Sequence, residues 1–421
     1  MEDRSRIPLA DHRDDAIALL GAHRRHRDEP VTEILLGRVC ASDVRSRVDV
    51  PALDNSQMDG FAVVAADLRA PGEEVRLRAA AAIAAGQGVA GHVPGTASPI
   101  MTGAPIPTGA DLVVPVEESA PGSFDALPAP GESIALRPAA VDAGRFVRRA
   151  ASDTRAGDVI LREGTVLTPA RIAHLAACGV ERVRTLAPMR ALVISTGSEV
   201  RSAERSGGLL REGAAFDANG PGLAAALLEA GAEIAATATV PDDPEELRAA
   251  IGRLTAETGA DLVVTSGGVS AGAYEVVRQA AELPGVRLSF PKVALQPGGP
   301  QGIGIIEIDG HRLPWLAFPG NPVSALLSLE LIARPALGAP PRTMLRAPLR
   351  LEEPQSSPVA LEQYRRARLL PSGEVRLVSG ASSHLLGALA LSDALVRIPV
   401  GVDMVHDGDM LETILLPGAG A

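Results

Sequence analysis

Three stretches place hydroxyls and glycines at the end of an apolar run, the first adding an acidic and the third an amide side chain: ISTGSEV (194–200), TSGGVSAG (265–272) and FPGNPVSA (318–325). Hydroxyl donors and glycine-bared amides suit the holding of a compact anion such as a phosphate. In the third stretch Asn321 is a natural N-cap and Pro322 a natural first helical residue, so helix amides are expected to face the same crevice. Any one loop also reads as an ordinary turn in which glycine supplies left-handed backbone. Three on one rim favour the anion. The dinucleotide pattern G-x-G-x-x-G and the nucleotide pattern G-x-x-x-x-G-K-S/T are both missing, which excludes the common nucleotide cradles. Two further segments carry chemistry. LDNSQMDGFAV (53–63) sets Asp54 and Asp59 around a turn, and PIMTGAPIPTGADLVVPVEE (99–118) packs Thr102, Gly103 and Asp111 into a Pro/Gly frame. Turn-forming Asp explains such clusters by itself; carboxylates beside glycine-lined amides equally suit a phosphate held with a divalent cation.

The elements that must position these residues follow from periodicity. Residues 9–28 read as a surface helix around Ala16, Leu19 and Leu20. Residues 31–116 alternate short apolar runs with Gly and Pro, as an irregular β domain does. The Pro/Gly/Ser stretch 119–133 is expected to be a mobile surface crossing. From about 187, strands alternate with helices, which predicts a parallel sheet covered on both faces. That places all three anion-type loops at the carboxyl ends of strands, where open α/β sheets bind ligands. After 339 short strands return and predict a small β domain.

Composition bounds the rest. The formal charge of −11 and a pI near 5.3 argue against nucleic acid, which needs a basic face. Nine aromatics (Phe 6, Tyr 2, Trp 1) leave little for base stacking. Cys40 and Cys178 read as buried free thiols in a reducing compartment. No apolar stretch approaches the ~18 residues of a spanning helix, and the N-terminal segment lacks a signal-type apolar core. The expectation is a cytoplasmic protein with no membrane partner.

Six motifs in order make the sequence similar to the molybdopterin molybdenumtransferases, whose relatives include the carboxyl-terminal region of gephyrin. LDNSQMDGFAV resembles that family's D-N-S-A-M-D-G-Y-A-V, 99–118 its I-M-T-G-A-P segment, and LVISTGSEV its S-T-G-D-E-L. GAAFDANG (213–220), TSGGVSAG and FPGNPVSA resemble G-x-I-x-D-S-N, S-S-G-G-V-S-V-G and L-P-G-N-P-V-S. The resemblance implies insertion of molybdate into adenylylated molybdopterin, with release of AMP and help from Mg2+. It also implies a multidomain fold. A central doubly wound parallel α/β molybdopterin-binding domain spans 187–338, an irregular β domain 31–141, an elongated helical and extended dimerisation domain 1–30 with 142–186, and a small C-terminal β domain 339–421. A homodimer is implied, its crevice formed between the α/β domain of one subunit and the β domain of the other. Partners would be the molybdopterin adenylyltransferase and recipient molybdoenzymes.

Carried over by position, Asp59, Thr102, Asp153, Glu199, Asp242 and Glu275 are catalytic, with Glu199, Asp242 and Glu275 on the metal. Ser195, Thr196, Gly197, Asp217, Asn219, Ser266, Gly267, Gly268, Ser270, Arg278, Lys292, Gly320, Asn321 and Pro322 hold the pterin nucleotide. Gln296, Pro300, Ser324, Arg366 and Ser383 hold molybdate, with His384 alongside. The chain departs from the family in two places. Gly272, Ala273, Tyr274, Glu275 and Arg278 stand where G-E-x-D-Y-x-K is usual. Gln296 and Gly299 replace the two lysines of K-P-G-K-P. At ~1.5–3 kcal/mol per charge-assisted bond, losing both costs about two to four powers of ten in oxyanion affinity. The second reading is therefore a paralogue that binds the pterin nucleotide or a partner protein without inserting metal. A third, a generic Mg-dependent nucleotide pyrophosphatase, leaves both β domains unexplained.

Overall fold

The computed structural model describes residues 6–86, 88–120, 122–124, 129–201, 210, 212–270 and 275–418. Two compact units divide the chain: residues 28–185 form one, and the N-terminal segment through Arg27 joins Leu186 onward in the other.

The second unit opens with β1 (Arg6–Ile7) and α1 (Leu9–Gly21). The helix is shorter than the 9–28 expected, because no apolar residue recurs at helical spacing beyond Leu20 and His26–Pro30 is extended. Nor does it belong with 142–186. Leu9, Ala16 and Leu20 share one apolar cluster with Leu331, Ile332 and Leu337.

In the unit 28–185, β2 (Gly60–Val63), β3 (Val75–Ala79), β4 (Thr96–Ile100), β5 (Leu112–Pro115), β6 (Ser119–Ala120) and β7 (Ser133–Leu136) form a six-stranded sheet in the order β5-β2-β4-β3-β7-β6. Phe61, Val63, Leu77, Val114 and Leu136 alternate inward to make its core. Residues 121 and 125–128 of the expected mobile crossing lie outside the described residues. A second cluster joins Leu35, Leu161 and Leu175 of α2 (Pro169–Ala177) to Cys40 and Cys178, which are buried free thiols.

The other unit continues with β8 (Arg190–Thr196), α3 (Asn219–Glu229), β9 (Glu233–Val240), α4 (Pro244–Thr258), β10 (Leu262–Ser266), α5 (Val276–Ala280), β11 (Val286–Ser289), β12 (Lys292–Val293), β13 (Gly302–Ile308), β14 (His311–Phe318) and α6 (Pro322–Ser328). The sheet order is β9-β8-β10-β14-β13-β11, with the first four strands parallel. It is not wholly parallel, as expected, because β13 returns into β14 antiparallel through Asp309 and Gly310, at φ 50° and 79°. That is the backbone of a two-residue hairpin, for which Asp-Gly is a strong signal. Alternate residues face opposite helices. Leu192, Ile194, Val263 and Trp315 pack with Leu247, Ile251, Val276 and Val277; Val193, Val264, Leu316 and Phe318 pack with Leu20, Leu223, Leu227 and Val323.

After Pro341, β15 (Met344–Arg350), β16 (Glu362–Leu369), β17 (Val375–Leu377), β18 (Ala394–Ile398) and β19 (Met410–Leu415) close into a ring, β15-β17-β16-β18-β19 and back to β15. Closure removes exposed edges. Leu349, Ala367, Val375, Val396 and Ile398 fill it.

Candidate functional site

The parallel register sets Ser195 beside Ser266 and Ser266 beside Phe318, so the loops after β8, β10 and β14 leave one edge together. Their glycines are there for close approach. A Cβ on Gly267, at φ 99°, would fall 2.5 Å from Thr196 Oγ1 and 2.9 Å from Thr196 O. One on Gly320 would fall 3.3 Å from Gly267 Cα, and one on Gly268 2.8 Å from Val277 N. The Gly267 amide is not offered outward: it donates to Phe318 O at 3.0 Å and ties two loops together. The Ser270 amide likewise donates to Glu275 Oε2 at 3.0 Å. Asn321 Oδ1 caps α6 by accepting from the amides of Val323 (3.1 Å) and Ser324 (3.2 Å). Those two amides, expected to face the crevice behind Pro322, are thereby satisfied within the fold.

Side chains supply more of the polar rim than glycine amides do. Ser195 Oγ donates to Asp217 Oδ1 at 2.8 Å, the Gly220 amide donates to the same oxygen at 2.9 Å, and Asn219 Nδ2 donates to Gly320 O at 2.8 Å. Thr196 Oγ1 donates to Ser266 O at 3.2 Å. Among the described residues, Ser266 Oγ and Asn219 Oδ1 are buried with no partner. Such atoms normally find one.

The three expected metal carboxylates are not assembled. Ser198, unnoticed in the sequence, exchanges bonds with Asp242: its amide donates to Asp242 Oδ2 at 2.8 Å and its Oγ accepts from the Asp242 amide at 3.2 Å. Glu199 folds back over Gly197, where a Cβ would lie 2.8 and 2.9 Å from its carboxylate oxygens. Glu199 and Asp242 thus flank Ser198, while Glu275 is held by Ser270. No group of three His, Cys, Asp or Glu able to hold a metal occurs among the described residues. Magnesium needs only one or two carboxylates besides phosphate oxygens, and Glu199 with Asp242 fit that requirement. Arg278 is likewise engaged within its own loop, donating through Nε to Val269 O at 3.0 Å and stacking 4.5 Å over Phe290. Gly272, Ala273 and Tyr274 lie outside the described residues.

A second cluster surrounds 292–300. Leu295 and Gln296 pair with Glu362 and Gln363, and Gln363 Nε2 donates to Gln296 Oε1 at 2.6 Å. Lys292 and Pro300 form a bridge and both are exposed. Buried Gln301 donates to Gly298 O (2.6 Å) and Ser328 Oγ (2.7 Å), and Ser328 Oγ donates to Ser324 O at 2.8 Å. Arg366 is buried and donates to Ser382 O at 2.9 Å and to Gly380 O, which holds the loop carrying Ser383. Burial pushes its guanidinium pKa down, and no carboxylate opposes that shift. His384 engages Ser382 Oγ at 2.5 Å, not Ser383. Gln363, Gln301 and Ser328 carried no sequence signal, since only tertiary pairing brings them here.

In the unit 28–185, Asp59 Oδ1 accepts from the amide (2.6 Å) and hydroxyl (2.8 Å) of Thr102. The two motifs that carry them meet through neighbouring β2 and β4. Asp54 and Asp111 tie distant segments together rather than forming turns: Asp54 accepts from Arg149 Nη1 and the Ala150 amide, and Asp111 from the Ala65 amide. Asp153 lies on an exposed turn, its amide donating to Val50 O. Among the described residues, no hydrogen bond joins it to Asp59 or Thr102.

Comparison with known families finds residues 7–179 similar to the "MoeA N-terminal region (domain I and II)", 192–339 to the "Probable molybdopterin binding domain", and 348–416 to the "MoeA C-terminal region (domain IV)". The chain is 40% identical over 389 residues to molybdopterin molybdenumtransferase 2 of Mycobacterium tuberculosis, covering 89% of this chain and 92% of that protein. It is 35% identical to the molybdopterin molybdenumtransferase of Synechococcus elongatus, covering 89% and 91%. A solved structure of the molybdopterin biosynthesis MoeA protein from Pyrococcus horikoshii matches with a TM-score of 0.75 at 28% identity, over 98% of this chain and all of that one.

Proposed function

Since this chain belongs to the molybdopterin molybdenumtransferases, transferases of molybdenum cofactor biosynthesis, we propose that it places molybdate on adenylylated molybdopterin and releases AMP. One observation carries the reading: the edge shared by β8, β10 and β14 gathers Ser195, Asp217, Asn219 and Gly320 into one bonded rim and leaves Ser266 Oγ and Asn219 Oδ1 buried without partners. A bound phosphate and pterin would satisfy both atoms. Ser195, Thr196, Gly197, Asp217, Asn219, Ser266, Gly268, Gly320 and Asn321 shape that cradle, with Gly267 and Pro322 fixing its loops. Glu199 and Asp242 would hold Mg2+, which when bound neutralises charge on the phosphate oxygens of the scissile anhydride. Glu275 and Arg278 shape the β10 loop instead. Asp59 and Thr102 present a preformed carboxylate–hydroxyl pair for the same reaction, and Asp153 is kept with them on the resemblance alone. Gln296, Pro300, Ser324, Arg366 and Ser383 face molybdate. We place the protein in the cytoplasm as a homodimer, receiving its substrate from a molybdopterin adenylyltransferase and supplying molybdoenzymes. No helix among the described residues is long and apolar enough to cross a membrane.

Purified protein with Mg2+, molybdate and adenylylated molybdopterin should release AMP. A folded protein that binds the pterin nucleotide yet releases none at millimolar molybdate removes the reading. The non-inserting paralogue is favoured by one feature, the engagement of Gln296 by Gln363 beside side-chain-less Gly299. Introducing Lys at 296 and 299 separates the two. A large gain in insertion marks a degraded site, and no gain marks native use of the present one.

A further inference from the structure

We propose that Gln363, oriented by the buried Arg365, turns the carboxamide of Gln296 so that its N–H donors face molybdate, which makes Gln363 a positioning residue of the oxyanion site. This rests on the reading above that Gln296 faces the oxyanion. The register aligns Gln296 with Gln363 on parallel strands, and the Glu362 amide, donating to Ala294 O at 2.9 Å, holds the two backbones together; paired residues project on one face. Donor and acceptor roles then run in one direction from Arg365. A guanidinium only donates. Arg365, buried on β16, donates through Nη1 to Gln363 Oε1 at 3.5 Å and through Nη2 to Gln355 Oε1 at 3.3 Å. Gln363 is buried as well. With its oxygen turned to Arg365, its amide nitrogen is left for Gln296, and Nε2 donates to Gln296 Oε1 at 2.6 Å. That bond engages the acceptor end of the Gln296 side chain. Its Nε2 keeps both N–H groups, since Gln296 makes no other side-chain hydrogen bond among the described residues. The reverse orientation would aim a carbonyl oxygen at an anion. Charge enters by the same route. No carboxylate bonds to Arg365 among the described residues, and its pKa is pushed down by burial and by the like charge of Arg366. Amides in series with a charged donor polarise one another, so the far N–H groups become stronger donors. A neutral residue standing where the family has lysine thereby draws on a guanidinium two hydrogen bonds away.

The test is calorimetric titration with molybdate, sulfate as control, on wild type and Gln363 variants, alongside AMP release as a function of molybdate. Gln363→Glu is the decisive change. Its carboxylate accepts from Arg365 and can only accept from Gln296, which must then turn Nε2 inward and Oε1 toward the oxyanion. Molybdate affinity should fall about tenfold or more, one hydrogen bond being replaced by a repulsive contact. The rise in half-saturating molybdate should exceed any change in maximal turnover. Melting temperature should hold or rise, since the buried guanidinium gains a carboxylate. Gln363→Met, which leaves Gln296 free to rotate, should lose only about threefold in affinity. In a Gln296→Lys background, Gln363→Met should shift affinity by less than about twofold, because an ammonium donates in every rotation. If Gln363→Glu unfolds β16, the cycle of Gln363→Met with Gln296→Lys decides alone. Molybdate affinity of Gln363→Glu equal to wild type, or a loss no greater than in Gln363→Met, overturns the proposal, as does an undiminished loss in the Gln296→Lys background. If wild type binds molybdate but releases no AMP, the insertase reading fails while the titration still decides Gln363; wild type that binds no molybdate overturns both.

Discussion

At the scale of single residues, glycine matters here chiefly through what a side chain would strike. Gly267→Ala puts a methyl 2.5 Å from Thr196 Oγ1 at φ 99°, so a loss of about 2 kcal/mol or more is expected, with weaker pterin-nucleotide binding; thermal-shift titration with the nucleotide reads both. The carboxylates divide by their partners. Glu199→Gln should raise the Mg2+ concentration for half-maximal AMP release by about tenfold, whereas Glu275→Gln, whose carboxylate serves the Ser270 amide, should shift it less than about threefold. Equal shifts would restore Glu275 to the metal. The identities of Asp59, Thr102, Glu199 and Asp242 were legible as motif residues. That Asp59 grips Thr102, or that Ser198 binds Asp242, was not, because each pair lies more than forty residues apart in the chain.

Among elements, caps and strand ends were the best-marked features. Asn321 followed by Pro322 announces α6, and the structure closes it with two side-chain bonds. Asn321→Ala should cost about 1 kcal/mol and also weaken pterin-nucleotide binding, since Asn321 borders the Gly320 loop. Thr168→Ala, which uncaps α2 through its bond to the Arg171 amide, should lower stability by a similar or smaller amount with substrate binding intact. Denaturant titration and nucleotide binding on both variants check the contrast. The reversal from β13 to β14 was signalled by Asp309-Gly310, but an expectation of alternating strands and helices hid it. α1 was overextended for a related reason: the charged run after Gly21 can extend a helix or a strand, and only its neighbours decide.

For the molecule as a whole, the grouping of the N-terminal helix with the α/β unit has a measurable consequence. His12 is 1% exposed on α1, and burial lowers its pKa from 6.5 to about 4, with Asp15 opposing. The folded protein therefore holds a neutral imidazole, while the unfolded chain binds a proton below pH 6.5. The stabilisation is complete above 6.5 and is lost as pH falls toward 4, by on the order of 3 kcal/mol. His12→Leu should flatten the melting temperature across that window; an unchanged slope would exclude His12 as its source. The homodimer proposed above is checked by sedimentation of the purified chain. Local chemistry is written in short words, so the sequence by itself determined the anion-type loops, the caps, the acidic exclusion of nucleic acid and the family. Only tertiary structure decided which amides are already spent, which carboxylates stand apart, and that Gln363 reaches Gln296. Those outcomes depend on strand register and chain reversal, which join residues dozens of positions apart and leave no local trace.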